Sequence, residues 1–129
     1  MKALLALLAT CSLFLSGCAA VGTDACVGTT VYSVTPTTAT LDHMAAPPAN
    51  QQQFIANAVT TYPKGCAVPA VIPAPFYTTW MSADPINAPI NSTFGPTTDG
   101  VVTCKGSTTG AVTLTALSAG DVTATVVCK

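Results

Sequence analysis

The sequence predicts an all-β fold, a sandwich of about seven short strands, and three observations predict it. Short runs rich in Thr, Val, Ile and aromatic residues recur along the chain, separated by Pro, Gly and Asp at about the spacing of sandwich strands. Within several runs the apolar residues take alternate positions, the period of a strand with one face buried. Ten prolines and nine glycines in 129 residues argue against long helices.

The runs, in order, are 31–40, 53–62, 76–82, 87–94, 101–104, 110–117 and 122–128. Phe54, Ala56 and Ala58 share one face of the second; Val112, Leu114 and Ala116 share one face of the sixth, and Val122, Ala124 and Val126 one face of the seventh. Thr fills most of the opposite positions, so the apolar sets should face the core. Asp99-Gly100 suits a tight hairpin and Ala119-Gly120-Asp121 another, because Gly takes the positive φ such turns demand. The only helical turn the pattern allows is a short one at 45–52.

Ahead of the first run lies a different kind of segment. Lys2 precedes an apolar stretch, Ala3 to Leu15, too short to span a bilayer comfortably and suited to the hydrophobic part of a cleaved signal. It ends in Leu15-Ser16-Gly17-Cys18, which resembles the bacterial lipobox. That resemblance implies a signal peptide at 1–17, cleavage before Cys18 and lipidation of Cys18 as the new N-terminus. An ordinary cut after Ala19 or Ala20 is the competing reading. Each buried methylene contributes about 0.8 kcal/mol, so a multiply acylated cysteine would hold the protein on the membrane. Ala19, in place of an Asp after the cysteine, favours the outer membrane by resemblance to Gram-negative lipoproteins. The organisation that follows is a short tether at 18–25 and one domain at 26–129, a length that suits a single core.

Composition then narrows the partners. From Cys18 onward three lysines stand against five aspartates, with no Arg and no Glu. Nucleic acid is excluded, since phosphate neutralisation needs clustered basic residues, and no polybasic patch serves anionic lipid. Charged residues are 7% of the chain, against roughly 25% in an average soluble protein, so hydroxyls and amides must keep the surface wet. Cys26, Cys66, Cys104 and Cys128 remain after Cys11 leaves with the signal and Cys18 takes the lipid. An even number in an exported chain reads as two disulfides. A metal site is disfavoured by the absence of any Cys-x-x-Cys pair or nearby His.

Ser33-Val34-Thr35-Pro36-Thr37-Thr38-Ala39-Thr40-Leu41, Gln51-Gln52-Gln53-Phe54-Ile55-Ala56, Thr79-Trp80-Met81-Ser82-Ala83-Asp84-Pro85, Gly100-Val101-Val102-Thr103 and Thr109-Gly110-Ala111-Val112-Thr113-Leu114-Thr115-Ala116 follow in a telling order. Together they resemble bacterial immunoglobulin-like domains, nearest the group 2 kind of bacterial surface proteins. The resemblance covers about 31–127, and Thr-Trp-x-Ser-x-Asp-Pro is its most specific part. It implies two packed sheets with Trp80 in the core. The Pro-rich insert at 63–75 and the four cysteines depart from the pattern. If strands alternate up and down as in such sandwiches, Cys26 and Cys66 lie at one end and Cys104 and Cys128 at the other. The resemblance thus implies the pairs Cys26 with Cys66 and Cys104 with Cys128, each closure giving roughly 3.5 to 4 kcal/mol in the chain-entropy model. The short tether would hold the Cys26 end within about 26–29 Å of the membrane. The uncharged insert at 67–73 would fold over that end or rest on lipid or a neighbour.

Nothing points to catalysis. His43, the one histidine, sits between Asp42 and Met44 with no nucleophile motif; no two carboxylates stand close. Asp84, Asp99 and Asp121 are isolated and suit turns better than calcium. Asn91-Ser92-Thr93 matches a glycosylation acceptor only formally, and no cofactor motif occurs. Two functions remain: a membrane-anchored structural or adhesive module contacting envelope proteins, glycans or copies of itself, and a small-ligand or glycan-binding lipoprotein using loops at one end. The first is the expectation.

Overall fold

The computed structural model describes residues 26–66 and 74–129. The signal peptide, Cys18, the tether and residues 67–73 of the insert lie outside the described residues.

Among those described there is no α-helix; nine short strands form three sheets. β1 (Thr29–Thr35), β4 (Ile55–Thr61) and β5 (Ala74–Phe76) make an antiparallel sheet in the order β1-β4-β5. β2 (Thr38–Leu41), β6 (Trp80–Ser82), β8 (Val112–Ala116) and β9 (Val122–Cys128) make a second, ordered β2-β9-β8-β6, with β2 parallel to β9. β3 (Gln51–Gln53) and β7 (Val101–Thr103) pair antiparallel.

Six of the seven expected runs carry these strands, and three of them break. The run 31–40 breaks at Pro36, which cannot donate to a ladder, so β1 stays with β4 while β2 crosses to β9. The run 53–62 starts earlier, at Gln51, and breaks at Phe54. There the Phe54 N–H leaves the β4 ladder and donates to the Gly100 carbonyl at 2.8 Å. Gly100 has φ +70°, and a Cβ on it would collide with the Phe54 carbonyl oxygen, so this close approach requires glycine. The run 76–82 breaks between β5 and β6.

The run 87–94 is a correction: it forms no strand. It lies beside β7, with the Asn91 N–H on the Val101 carbonyl (2.9 Å), Thr103 on Pro89 (3.0 Å) and Lys105 on Asn87 (2.8 Å). Pro89 has no N–H to return, so the ladder shrinks to one bridge, Ile90 with Val102. The short helix expected at 45–52 is likewise replaced, by turns that end as β3 begins at Gln51. Asp99-Gly100 closes a longer turn than a tight hairpin, the Gly100 N–H meeting the Asn91 carbonyl across it at 2.8 Å. Ala119-Gly120-Asp121 does lie in the hairpin joining β8 and β9, and both Gly120 (φ +64°) and Asp121 (φ +55°) are left-handed.

The core draws on all three sheets. Val34, Phe54, Ala56, Trp80, Val102, Val112, Leu114, Ala116, Ala124 and Val126 belong to one buried cluster that includes both Cys104 and Cys128. The expected alternation holds where those strands are covered. It weakens at Ala58 and Val122, which are half-buried. Beyond Val34 toward its N-terminal end, β1 runs past the core: six of its seven residues are exposed.

Candidate functional site

The disulfides are Cys26–Cys66 and Cys104–Cys128, each with Cα atoms 5.6 Å apart. Strand register puts them at opposite ends. Thr29 pairs with Thr61 where Cys26 and Cys66 close the β1–β4 ribbon. Gln51 pairs with Thr103, and Leu41 with Cys128, at the other end. There the Cys104 N–H donates to the Asn50 carbonyl (2.9 Å), and Thr108 bonds Cys128 through both its backbone and its hydroxyl. Cys18, the expected lipid site, lies outside the described residues.

His43 ties down the chain's last residue. Its backbone N–H donates to the Lys129 carbonyl at 3.0 Å, its Nδ1 contacts the same oxygen, and Lys129 donates back to Leu41 at 2.9 Å. Among the described residues no nucleophile is hydrogen-bonded to it. Among the described residues no group of three or more His, Cys, Asp or Glu side chains is placed to hold a metal ion. Asn91 turns its amide oxygen to the Thr93 N–H (2.8 Å), and the Ser92 hydroxyl is engaged with Trp80.

Asp84 and Asp121 serve turns. The Asp84 carboxylate accepts the Asn87 side-chain N–H at 2.9 Å and the backbone N–H groups of Asn87 and Ile86. Those bonds, the Asn87 side chain foremost, hold its pKa below the ordinary value. Asp99 does more than terminate a turn. It is buried, and its Oδ2 accepts the Thr78 N–H at 3.2 Å and the Trp80 indole N–H at 3.4 Å. The pair fixes the orientation of the core tryptophan. Sequence reasoning missed this, because the partner residues lie about twenty positions upstream and no local signal links them.

Beside Asp99 is a cleft of about 70 Å³ lined by Gln53, Phe54, Ile55, Phe76, Tyr77 and Pro96, among others. At about 10–15 Å³ per water it has room for a few solvent molecules. A wider depression at Asp84 and residues 108–112 opens broadly to solvent. The first is too small for a drug-sized ligand, and the second, about 300 Å³, would leave one largely open to solvent.

The strand edges differ more instructively. The edge of β6 is capped, since the Ser92 Oγ accepts the Trp80 N–H (2.8 Å) and donates to the Trp80 carbonyl (3.1 Å). β5 is three residues long and contains Pro75, and β2 has four residues. β1 has seven, with no charge, Pro or Gly, and among the described residues its backbone bonds only to β4, through the ladder and through the Thr61 hydroxyl, which donates to the Thr29 carbonyl at 3.4 Å. Natural sheets blunt exposed edges by shortness, Pro, charge or cover; β1 is not short, Pro-bearing or charged, and among the described residues no strand pairs with its outer edge. Its outer face shows Val31 beside Val59, with Ile55 farther along, while Tyr32 lies on the face it shares with Val34 and is partly exposed there.

No protein-family model matches the chain, and no curated protein matches it significantly.

Proposed function

We propose that the chain is a lipid-anchored envelope protein whose immunoglobulin-like β-sandwich is a structural or adhesive contact module. In this reading residues 1–17 are removed, Cys18 carries the lipid, residues 18–25 tether the body, and residues 26–129 make the contacts. The outer membrane is the favoured location. Two disulfides support an oxidising compartment outside the cytoplasm, and the passage of the chain at Pro36 from β1, paired with β4, to β2, paired with β9, supports the sandwich.

The observation that carries the contact role is the combination of a packed core with one long strand edge that no strand pairs among the described residues. A body with shallow depressions and an open edge meets partners by its surface. The chemistry of that surface, rich in Thr and poor in charge, suits envelope proteins or neutral glycans. Membrane fractionation and mass spectrometry of the exported protein test the anchor. A diacylated or triacylated Cys18, and loss of membrane association in Cys18→Ala, are expected; an unmodified amino end at Ala20 or Val21 overturns it. Capture of envelope components by the anchored protein tests the contact role. Binding lost on capping the β1 edge supports the role, whereas binding unaffected by the edge but lost when Tyr77 and Asp99 are replaced transfers the function to the cleft, as a ligand-binding lipoprotein.

A further inference from the structure

From the bare edge of β1 we infer that the partner it fits is the β1 edge of a second copy, the two strands joining antiparallel about a twofold axis at Tyr32. The inference rests on reading the chain as a contact module, not on its anchor.

Along seven extended residues the alternate N–H and C=O groups that do not bond β4 face outward and present a strand-shaped template, so the partner must itself offer an extended, unpaired strand. Within the described residues the other edges of the two larger sheets are short, proline-bearing or capped by Ser92. β1 is therefore the long open edge that every copy supplies. A twofold axis perpendicular to the strands places identical edges antiparallel and makes the contact self-limiting. Centring it on Tyr32 pairs all seven residues: Thr29 meets Thr35, Thr30 meets Val34, Val31 meets Ser33, and Tyr32 meets its own copy. The result is a continuous six-stranded sheet ordered β5-β4-β1-β1-β4-β5.

Side chains agree with that register. Neither β1 nor β4 carries a charge, so two copies of a mildly acidic protein meet along a neutral seam without repulsion. Threonine, valine and tyrosine are strong strand formers, and cross-strand pairs of such residues stabilise antiparallel sheets. Tyr32 is 36% exposed and leans on Phe76, ring centroids 5.6 Å apart; its copy would extend this contact into an aromatic row across the axis. A strand edge of this length is smaller than the standard interface of about 1,600 Å². Association is accordingly weak in dilute solution and grows with concentration, the condition that tethering to a membrane plane would supply.

The test is sedimentation of the exported full chain in density-matched detergent over a wide concentration series, with Tyr32→Lys, Tyr32→Asp and Ser33→Lys beside the parent. The parent should pass from monomer to dimer. Each variant alone sets like charges across or beside the axis and should weaken the dimer by about tenfold or more. Mixing Tyr32→Lys with Tyr32→Asp should restore dimer, because opposite charges then face each other. Ser33→Lys leaves the Tyr32 ring on Phe76, so its weakening separates lost pairing from lost packing, and circular dichroism confirms that each variant is folded. A parent that stays monomeric throughout overturns the inference while leaving the contact role to the capture experiment; a dimer indifferent to all three substitutions overturns it as well.

Discussion

The two disulfides join cysteines at the same Cα separation, 5.6 Å, in opposite surroundings. Cys104 and Cys128 are each 1% exposed and belong to the same packed cluster as Leu114 and Val126. Cys26 is exposed, Cys66 half-buried, and the bridge between them closes a ribbon that runs past the core. Chain entropy alone would rank them the other way, since the outer bridge closes the longer loop, 40 residues apart against 24. The difference teaches that one end of the molecule holds its shape by core packing as well as by its cross-link, whereas the other, on a ribbon that runs past the core, depends on the cross-link.

The largest effect should come from replacing Cys104 and Cys128 together by Ala. That removes roughly 3.5 kcal/mol of loop-closure stabilisation and adds a cavity cost of about 1–2 kcal/mol, as sulfurs leave a close-packed site. Denaturant unfolding should therefore show a loss of about 5 kcal/mol. Next is Gly100→Ala, in the same half of the molecule. A side chain there meets the Phe54 carbonyl and a disfavoured φ at once, so about 3 kcal/mol should be lost, read in the same unfolding assay.

Replacing Cys26 and Cys66 by Ala should cost less, about 2 kcal/mol, because the ribbon end can fray without opening the core. Amide exchange should accelerate from Thr29 to Tyr32 and at Thr60 and Thr61 while β8 and β9 keep their protection. A loss equal to or greater than that of the inner pair would break the comparison and return the ranking to loop length.

The smallest effect concerns Asp84, on the exposed turn after β6. Its carboxylate is stabilised by Asn87, so its folded pKa lies below the unfolded value. That contribution is present above the unfolded pKa and is lost as pH falls through the folded one. Carboxyl NMR should find the midpoint low in the parent and moved back toward the ordinary range in Asn87→Ala, with little change in global stability.

Much of this was legible in the sequence wherever one local rule decided the outcome. Alternation named Val112, Leu114, Ala116, Ala124 and Val126 as core, and all five are buried. The expected pairing of the four cysteines is the pairing found. What escaped was decided by groups distant in sequence. Residues 87–94 have strand-like composition, yet Pro89 withholds the one donor the β7 ladder needs there. Asp99 reads as a turn residue, and becomes a core hydrogen-bond acceptor only because Trp80 and Thr78 are brought to it. The outer β1 edge, unpaired among the described residues, was invisible for the same reason: exposure of an edge depends on which strands fail to arrive beside it.

The most direct test of that open edge is amide exchange along β1 at low and high protein concentration. In an edge strand alternate amides bond to the neighbour and the rest point outward. The account predicts that the outward set exchanges quickly in dilute protein and becomes protected as concentration rises, while the set bonded to β4 stays slow throughout. Outward amides protected at every dilution would mean that the edge is already covered within one chain, and outward amides fast at every concentration would mean that no second copy binds it; either result contradicts the account.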